Sequence, residues 1–277
     1  MPQLQRFEFE GCKFAYRIEG AGPPLVMIQG VGSYGTAYNP QVEILKEHYA
    51  CLTFDNRGIG ASQPAAKKLS VPQMARDTLA LMEHAGWGSA HIVGHSLGGL
   101  ISLQLALMAK PRARSLTLLN TFANGAAAAR MTLKLFWIVL RLRFAPRPIR
   151  RNAFLELVTA PGEEKAQAKD LPEKMARVFG HDIGDLPDVS ERQLSAMRAF
   201  DVTKRLPELA GTPTLVIAGE KDPIARPALG RAIAEGIPGA RYVEIPGASH
   251  AFPILEVERC AALIMEHLGA AETRWAG

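Results

Sequence analysis

A serine between glycines is the residue of this chain best placed to do chemistry. The sequence Gly94-His95-Ser96-Leu97-Gly98 follows a short apolar run at 90–93 and precedes a longer, largely apolar run at 100–108. At a strand-to-helix corner, this pattern holds the serine in a strained backbone conformation that projects its hydroxyl group. The pattern therefore predicts that Ser96 is a nucleophile, and the alternative interpretation is an ordinary tight turn.

A nucleophilic serine needs a base, usually a histidine, and a carboxylate that orients the base. A serine on such a strand-to-helix corner is called a nucleophile elbow, and in proteins with this elbow the three residues follow in the chain order serine, acid and then histidine. His250 lies in the loop Gly247-Ala248-Ser249-His250 after the last predicted strand, at the carboxyl edge of the sheet. His267 lies on an amphipathic helix and His181 in an irregular segment, so we predict that His250 is the base. His95 is expected to pack beneath the elbow.

The acid is predicted from the loop after the strand 214–218. Asp222 lies in Gly219-Glu220-Lys221-Asp222-Pro223, where a short carboxylate can reach an imidazole in the neighbouring loop. Glu220 is too close to the end of the strand and is interpreted as a solvated charge. Asn120, which ends the strand 115–120, cannot supply a negative charge. We therefore expect Asp222 to orient the histidine.

Negative charge that develops on a substrate oxygen needs two N–H donors aimed at it. One donor is expected to be the backbone N–H of Leu97, at the start of the helix. The other is expected in the loop after the strand 25–28, from Val31, because Gly30 and Gly32 allow the backbone to approach a substrate.

The same loop supports a competing interpretation. The residues 30–35 read Gly-x-Gly-x-x-Gly after a strand, and Asp55 follows about 20 residues later, which is the form of a dinucleotide-binding fingerprint. However, Thr36-Ala37-Tyr38-Asn39-Pro40 delays the helix that such a site requires. Asp55 also runs into the glycine turn 56–62, which indicates a structural use. We therefore expect no nucleotide cofactor.

The predicted elements alternate between strands and helices. Strands are expected at 25–28, 50–54, 90–94, 115–120, 214–218 and 241–245, and helices at 72–85, 97–109, 226–235 and 253–268. This alternation predicts an α/β fold, a mostly parallel sheet with helices on both faces. The alternation of strands and helices is interrupted at 125–199, a segment that we call the insertion. We expect it to form a helical cap over a core made of 1–124 and 200–277.

The first half of the insertion is basic and amphipathic. No acidic residue precedes Glu156, while apolar side chains alternate with the basic residues Arg130, Lys134, Arg141, Arg143, Arg147, Arg150 and Arg151. Such a helix can contact an anionic membrane surface or an amphipathic ligand. The alternative is a cap helix with an apolar inner side and a solvated basic face.

The composition sets broad limits. The chain of 277 residues is 48% hydrophobic and 21% charged, with a net charge of +5 and no long basic run over most of its length. These values are typical of a soluble globular protein without a nucleic-acid partner. The three cysteines form no Cys-x-x-Cys pair, and we expect no metal site. Without a signal pattern or a long apolar span, a cytoplasmic location is expected.

Taken together, these motifs resemble the α/β-hydrolase superfamily. The resemblance rests on the serine motif 94–99, the turn 55–62, the Asp222 loop and the His250 loop. It implies an eight-stranded sheet, a helical cap and a Ser96–Asp222–His250 triad. Many relatives carry His-Gly after the third strand, whereas this chain has Gln29-Gly30.

The leading functional hypothesis is a cofactor-independent serine hydrolase that forms an acyl-enzyme. Its expected substrate is a small to medium hydrophobic carboxylic ester or lactone. Alternatives within the same fold are an enol-lactone hydrolase, a carbon–carbon bond hydrolase and an acyltransferase. The same residues are also compatible with a lipase at a membrane surface and with a ligand sensor of slow turnover.

Overall fold

The computed structural model describes residues 3–129, 132–160 and 170–275. Their centre is a sheet of eight strands in the order β1-β2-β4-β3-β5-β6-β7-β8. The strands are β1 (Gln5–Phe9), β2 (Cys12–Glu19), β3 (Pro24–Ile28), β4 (Ala50–Phe54), β5 (Ala90–His95), β6 (Ala113–Leu119), β7 (Thr214–Gly219) and β8 (Arg241–Ile245). The pairs β1–β2 and β2–β4 are antiparallel and all other pairs are parallel.

The parallel strands bring their carboxyl ends to one edge. Because β3, β5, β6, β7 and β8 are consecutive neighbours, the loops that follow them lie side by side. In an open α/β sheet, ligands bind outside the carboxyl ends of the strands. This edge is therefore where the chemistry-bearing residues of the sequence converge.

Helices cover both faces of the sheet. Before the insertion, the helices are α1 (Asn39–Leu45), α2 (Val71–His84) and α3 (Leu97–Met108). After it, they are α9 (Pro227–Gly236), α10 (Phe252–Leu255) and α11 (Val257–Trp275). Short 3₁₀ helices occupy Gly35–Tyr38, Lys110–Arg112 and Thr203–Leu209.

Strand β3 shows how the sheet separates two apolar cores. Val26 and Ile28 join the core under α2, α3 and α9, whereas Leu25 and Met27 join the core under α1 and α11. All four side chains are fully buried. Successive side chains of a strand point to opposite faces, so a continuous apolar run is what a sheet covered on both sides requires.

The insertion forms a third core of its own. Its described helices are α4 (Gly125–Ala128), α5 (Leu133–Phe144), α6 (Arg147–Val158), α7 (Leu171–Phe179) and α8 (Ser190–Arg198). Apolar residues of α6 and α7 pack together and against Ala251 and Ile254 of the core. The insertion enters and leaves the core at adjacent points, where Asn124 pairs with Asp201.

Five basic residues in the first half of the insertion form ion pairs and remain partly exposed, so the solvated basic face stays a prediction. Arg141 bonds to Glu156 at 2.6 Å, and Arg143 contacts Glu191. Arg147 and Arg150 bond to Asp185, and Arg151 contacts Asp182. Arg130 lies outside the described residues.

These observations confirm the α/β fold with its eight-stranded, mostly parallel sheet. The element boundaries differ by a few residues from those predicted. The largest difference is the last helix, predicted at 253–268, which the structure divides into α10 and α11 at Glu256. The division of the chain into a core and a cap stays a prediction. Among the described residues, no helix has the length and apolar character needed to cross a bilayer.

A buried ion pair joins the edge of the sheet to α2. Arg57, in the turn after β4, donates to Asp77 of α2 at 2.6 and 2.9 Å, and both side chains are almost fully buried. Arg57 also donates to the carbonyls of Phe9 and Glu10 in the first hairpin. This one side chain therefore connects three separate segments.

We predict that Asp77→Ala lowers the free energy of unfolding by about 3–5 kcal/mol, because it leaves the Arg57 guanidinium buried without its carboxylate. Urea unfolding followed by circular dichroism measures the change. Glu208→Ala removes the exposed pair with Arg205 and serves as a control, with an unfolding midpoint close to that of the wild type. Equal midpoints for the two variants would contradict the prediction.

Candidate active site

Ser96 occupies a strained corner between β5 and α3. Its φ is 54° and its ψ is −118°, values that a residue with a side chain rarely adopts. The backbone is held on both sides, since the Ser96 N–H donates to Leu119 and the Ser96 carbonyl accepts from Thr121 at 2.7 Å. The side chain is buried to 7% exposure.

The glycines of the motif allow this corner to pack. A Cβ on Gly98 would lie 1.9 Å from the Ile28 carbonyl oxygen, and one on Gly94 would lie 2.4 Å from the Gly98 carbonyl oxygen. Neither position has room for a side chain. Helix α3 can therefore begin directly against β3, as the sequence pattern predicts.

The structure brings Asp222 and His250 into direct contact. His250 Nδ1 lies 2.7 Å from Asp222 Oδ2, and both side chains are buried. The other carboxylate oxygen, Oδ1, accepts from the N–H groups of Ile224 and Ala225 at 2.7 and 2.8 Å. This arrangement fixes both the carboxylate and the imidazole ring. Among the described residues, no hydrogen bond joins the Ser96 hydroxyl to His250, a bond that often tightens only when substrate binds.

Asn120 is a further residue of this edge, and the sequence interpretation set it aside because it carries no charge. Its Nδ2 donates to the carbonyls of Ser249 and His250, and its Oδ1 accepts from the Gly219 N–H. Asn120 has a φ of 45° and is fully buried. It therefore holds together the loops that carry Asp222 and His250. Its position directly after β6, at the carboxyl edge of the sheet, is the one feature of the sequence that could have indicated this role.

His95 packs beside the histidine loop, as expected for a residue under the elbow. Its ring lies 4.8 Å from the ring of His250, and its Nε2 lies 3.1 Å from the His250 carbonyl oxygen. Burial, and to a lesser extent the neighbouring His250, lowers the pKa of His95 to about 3. His95 is therefore neutral near pH 7.

The two expected oxyanion donors are the backbone N–H groups of Val31 and Leu97. Among the described residues, neither the Val31 N–H nor the Leu97 N–H donates to a protein acceptor. A Cβ on Gly30, next to Val31, would lie 3.3 Å from Ser96 Cβ, which places this loop against the serine. Gln29, the residue that departs from His-Gly, is buried and donates to the Phe54 carbonyl at 2.8 Å.

Two side chains of the insertion contact Gly32, the residue that follows Val31 in the loop after β3. Gln193 of α8 accepts from the Gly32 N–H through Oε1 at 2.9 Å. His181, between α7 and α8, places Nε2 2.9 Å from the Gly32 carbonyl oxygen. Both the N–H and the carbonyl of Gly32 are therefore contacted by the insertion. The φ of Gly32 is +74°. The sequence offers no signal for Gln193, which lies 161 residues from its partner.

The dinucleotide alternative does not fit the position of Asp55. The carboxylate accepts from the N–H of Gly35 at 2.8 Å and from the N–H of Ala61 at 2.9 Å. Both of its oxygens therefore hold loop backbone, as the structural interpretation of the glycine turn expects. No group of three or more metal-ligating side chains is found among the described residues.

Comparison with known proteins places the chain in a family. The family model for the alpha/beta hydrolase fold matches residues 23–257. The chain belongs to the α/β-hydrolase family. It is 32% identical over 238 residues to a protein of Azorhizobium caulinodans provisionally named carbamate hydrolase RutD, covering 86% of this chain and 88% of that one.

Two solved structures extend the comparison. The enol-lactonase from Burkholderia xenovorans LB400 is 27% identical with a TM-score of 0.81, covering 96% of this chain and 100% of that one. A thermophilic esterase from Thermogutta terrifontis is 25% identical with a TM-score of 0.80, covering 96% of this chain and 99% of that one. The resemblance in the sequence motifs is thereby confirmed at the level of the family.

We predict that the ring of His95 stays neutral as the pH falls from about 8 to about 5, since its pKa is near 3. The unfolded chain takes up this proton near pH 6.5, so His95 lowers the free energy of unfolding as the pH falls below that value. Imidazole nitrogen chemical shifts, assigned with a His95→Gln variant, measure the titration. A His95 resonance that titrates near pH 6.5 would refute the prediction.

Proposed function

We propose that this protein is a serine hydrolase that cleaves a carboxylic ester or lactone through an acyl-enzyme. The observation that carries the proposal is the contact between Asp222 and His250 at the same sheet edge as the strained Ser96. A hydrogen-bonded acid–histidine pair next to a serine elbow is the arrangement needed to activate a hydroxyl nucleophile.

The proposed reaction has two steps. In the first, Ser96 Oγ attacks the substrate carbonyl while His250 Nε2 takes up the hydroxyl proton and passes it to the leaving alkoxide. In the second, His250 removes a proton from water, which attacks the acyl-enzyme; the bond to Ser96 Oγ then breaks, His250 returns the proton to that oxygen, and the acid is released. Asp222 keeps Nδ1 protonated and stabilises the imidazolium that forms in each step.

The N–H groups of Val31 and Leu97 are proposed to bind the oxyanion of each tetrahedral intermediate. Two observations support this role: each N–H is free of a protein acceptor among the described residues, and the loop of Gly30 lies against Ser96. In addition, Leu97 is the first residue of α3, where the dipole of the helix favours negative charge.

The relatives support a carbonyl substrate and leave its class open. One structural relative is an esterase, another is an enol-lactonase, and a relative by sequence carries the name of a carbamate hydrolase. All three names describe hydrolysis at a carbonyl carbon. We therefore keep a carbamate as a second candidate substrate, on the strength of the 32% identity. The described insertion packs against Ala251, next to His250, and we propose that it acts as the cap that selects the substrate.

Ser96→Ala is expected to abolish labelling by a fluorophosphonate probe, because the probe reacts with an activated serine. It should also lower turnover of p-nitrophenyl esters by roughly 10⁴-fold or more. Parallel assays with a lactone, an aryl carbamate and a vinylogous diketone assign the substrate class. Labelling that persists in the variant would refute the nucleophile, while labelling of the wild type without multiple turnover would favour the sensor.

Asp222→Asn is expected to lower kcat by roughly 10⁴-fold, because the amide stabilises the wrong tautomer of His250. The matched control is Glu220→Gln, since Glu220 lies in the same loop and, among the described residues, its side chain accepts from the Gly247 N–H alone. Its kcat should stay close to that of the wild type. Equal losses in the two variants would show that Asp222 is not the specific partner of the base.

A further inference from the structure

Exposed apolar side chains are concentrated on the insertion. Of the ten large hydrophobic residues that are exposed among the described residues, eight lie within it. They are Leu133, Phe136, Trp137, Val139, Leu140, Phe144, Ile149 and Leu186. Large exposed apolar patches on soluble proteins usually mark interaction sites, so we expect this surface to bind a partner.

Half of these residues form a stripe along α5. Leu133, Trp137, Leu140 and Phe144 are spaced by four, three and four residues, which places them on one face of the helix. Ile138, on the opposite face, is buried. Helix α5 is therefore apolar on the side that packs on the protein and apolar again on the side that faces outward.

Cations border this stripe on both sides. Lys134 and Arg141 follow one flank, Arg143 lies on the other, and α5 contains no acidic residue. Of the carboxylates that pair with these cations, Glu191 is exposed and Glu156 is half-buried. Ion pairs of this kind contribute little to stability, so each cation can exchange its carboxylate for another anion.

We propose that the outer face of α5 docks the protein on an anionic lipid surface. Tryptophan and phenylalanine enter the interface between lipid headgroups and acyl chains, while flanking lysine and arginine bind the phosphates. A second copy of the chain fits this face less well, because symmetric pairing of two stripes brings cations against cations. The proposal is independent of the reaction at Ser96.

Flotation with vesicles tests this surface. We expect binding to phosphatidylcholine vesicles that contain phosphatidylglycerol, with weaker binding at high salt and a blue shift of Trp137 emission. Trp137→Ser combined with Phe144→Ser should lower the partition coefficient at least ~tenfold, since both side chains leave the lipid phase. Leu4→Ser combined with Met108→Ser removes exposed apolar side chains outside the insertion and should bind like the wild type.

Circular dichroism and the melting temperature establish that each variant is folded before its binding is compared. Wild-type protein that fails to float with anionic vesicles would overturn the proposal. So would equal partition of the stripe variant and the control. A concentration-dependent dimer that is lost in the stripe variant, seen by sedimentation velocity in the absence of lipid, would assign the surface to a second copy instead.

The contacts on Gly32 support a separate inference, which rests on the proposed function. We infer that Gln193 is a positioning residue that sets the oxyanion loop. Gln193 is fully buried, and its Oε1 holds the N–H of Gly32, the residue after Val31. Because that N–H can only donate, the bond also fixes which way round the side-chain amide lies.

The insertion adds further bonds to the same loop. His181 Nε2 contacts the Gly32 carbonyl, the Tyr34 N–H donates to the Phe179 carbonyl, and the Thr36 hydroxyl donates to the Val178 carbonyl. Of these contacts, the bond of Gln193 lies nearest to Val31 along the chain. The Gly32 N–H belongs to the peptide that directly follows Val31, so the path of the loop at Val31 depends on a side chain of α8.

Gln193→Met keeps the size of the side chain and removes the acceptor. We expect kcat to fall roughly tenfold to hundredfold with little change in KM, because the oxyanion forms only after the substrate binds. Gln193→Glu retains an acceptor for the Gly32 N–H and should recover most of this loss. Gln104→Met, at a buried glutamine on α3, is the matched control and should keep the wild-type kcat.

Amide hydrogen exchange gives a readout that does not depend on activity. The Gly32 N–H should exchange faster in Gln193→Met than in the wild type and at the wild-type rate in Gln104→Met. Unchanged exchange and unchanged kcat in Gln193→Met would overturn the positioning role while leaving the Ser96 chemistry intact. Loss of probe labelling in the wild type would instead refute the proposed function.

Discussion

The close approach of α3 to β3 is the constraint on which the site depends. Gly98 lies so near the Ile28 carbonyl that any side chain would displace the helix. This contact lets the chain turn within one residue from a strand into a helix, and the backbone of Ser96 takes up the strain of the turn. Strain of this kind persists only where the surrounding structure determines it, and hydrogen bonds to Leu119 and Thr121 do so.

The sheet then determines which residues can meet the serine. Because β5, β6, β7 and β8 are parallel neighbours, the residues after them form a row at one edge. The Asn120 side chain connects these residues through three hydrogen bonds to the loops of Asp222 and His250. The acid–histidine contact is therefore supported by buried backbone bonds rather than by the two side chains alone. Such support restricts the motion of groups whose geometry decides the rate of a reaction.

The sequence was sufficient to predict the fold and the positions of Ser96, Asp222 and His250 at one edge. Ser96 and Asp222 each follow a buried, largely apolar strand, and His250 follows the half-buried edge strand β8, so their places follow from local pattern and strand order. The contact of Gln193 with Gly32 could not be predicted, because it joins residues 161 positions apart in the chain. The ion pairs of the insertion escaped prediction for the same reason: the acids that neutralise Arg141 and Arg151 come from other helices and loops.

The core of the insertion has a consequence for how the protein can change over evolutionary time. Its apolar cluster includes Ala251 and Ile254, and the Ala251 N–H donates to the Val158 carbonyl at the end of α6. A substitution in α6 that moves the Val158 carbonyl also shifts Ala251, the residue that follows His250. Under the proposed role of the insertion as a cap, divergence of specificity in α6 is therefore coupled to maintenance of the histidine through residues 251–254. New specificities in this lineage are expected to arise through paired substitutions rather than single ones.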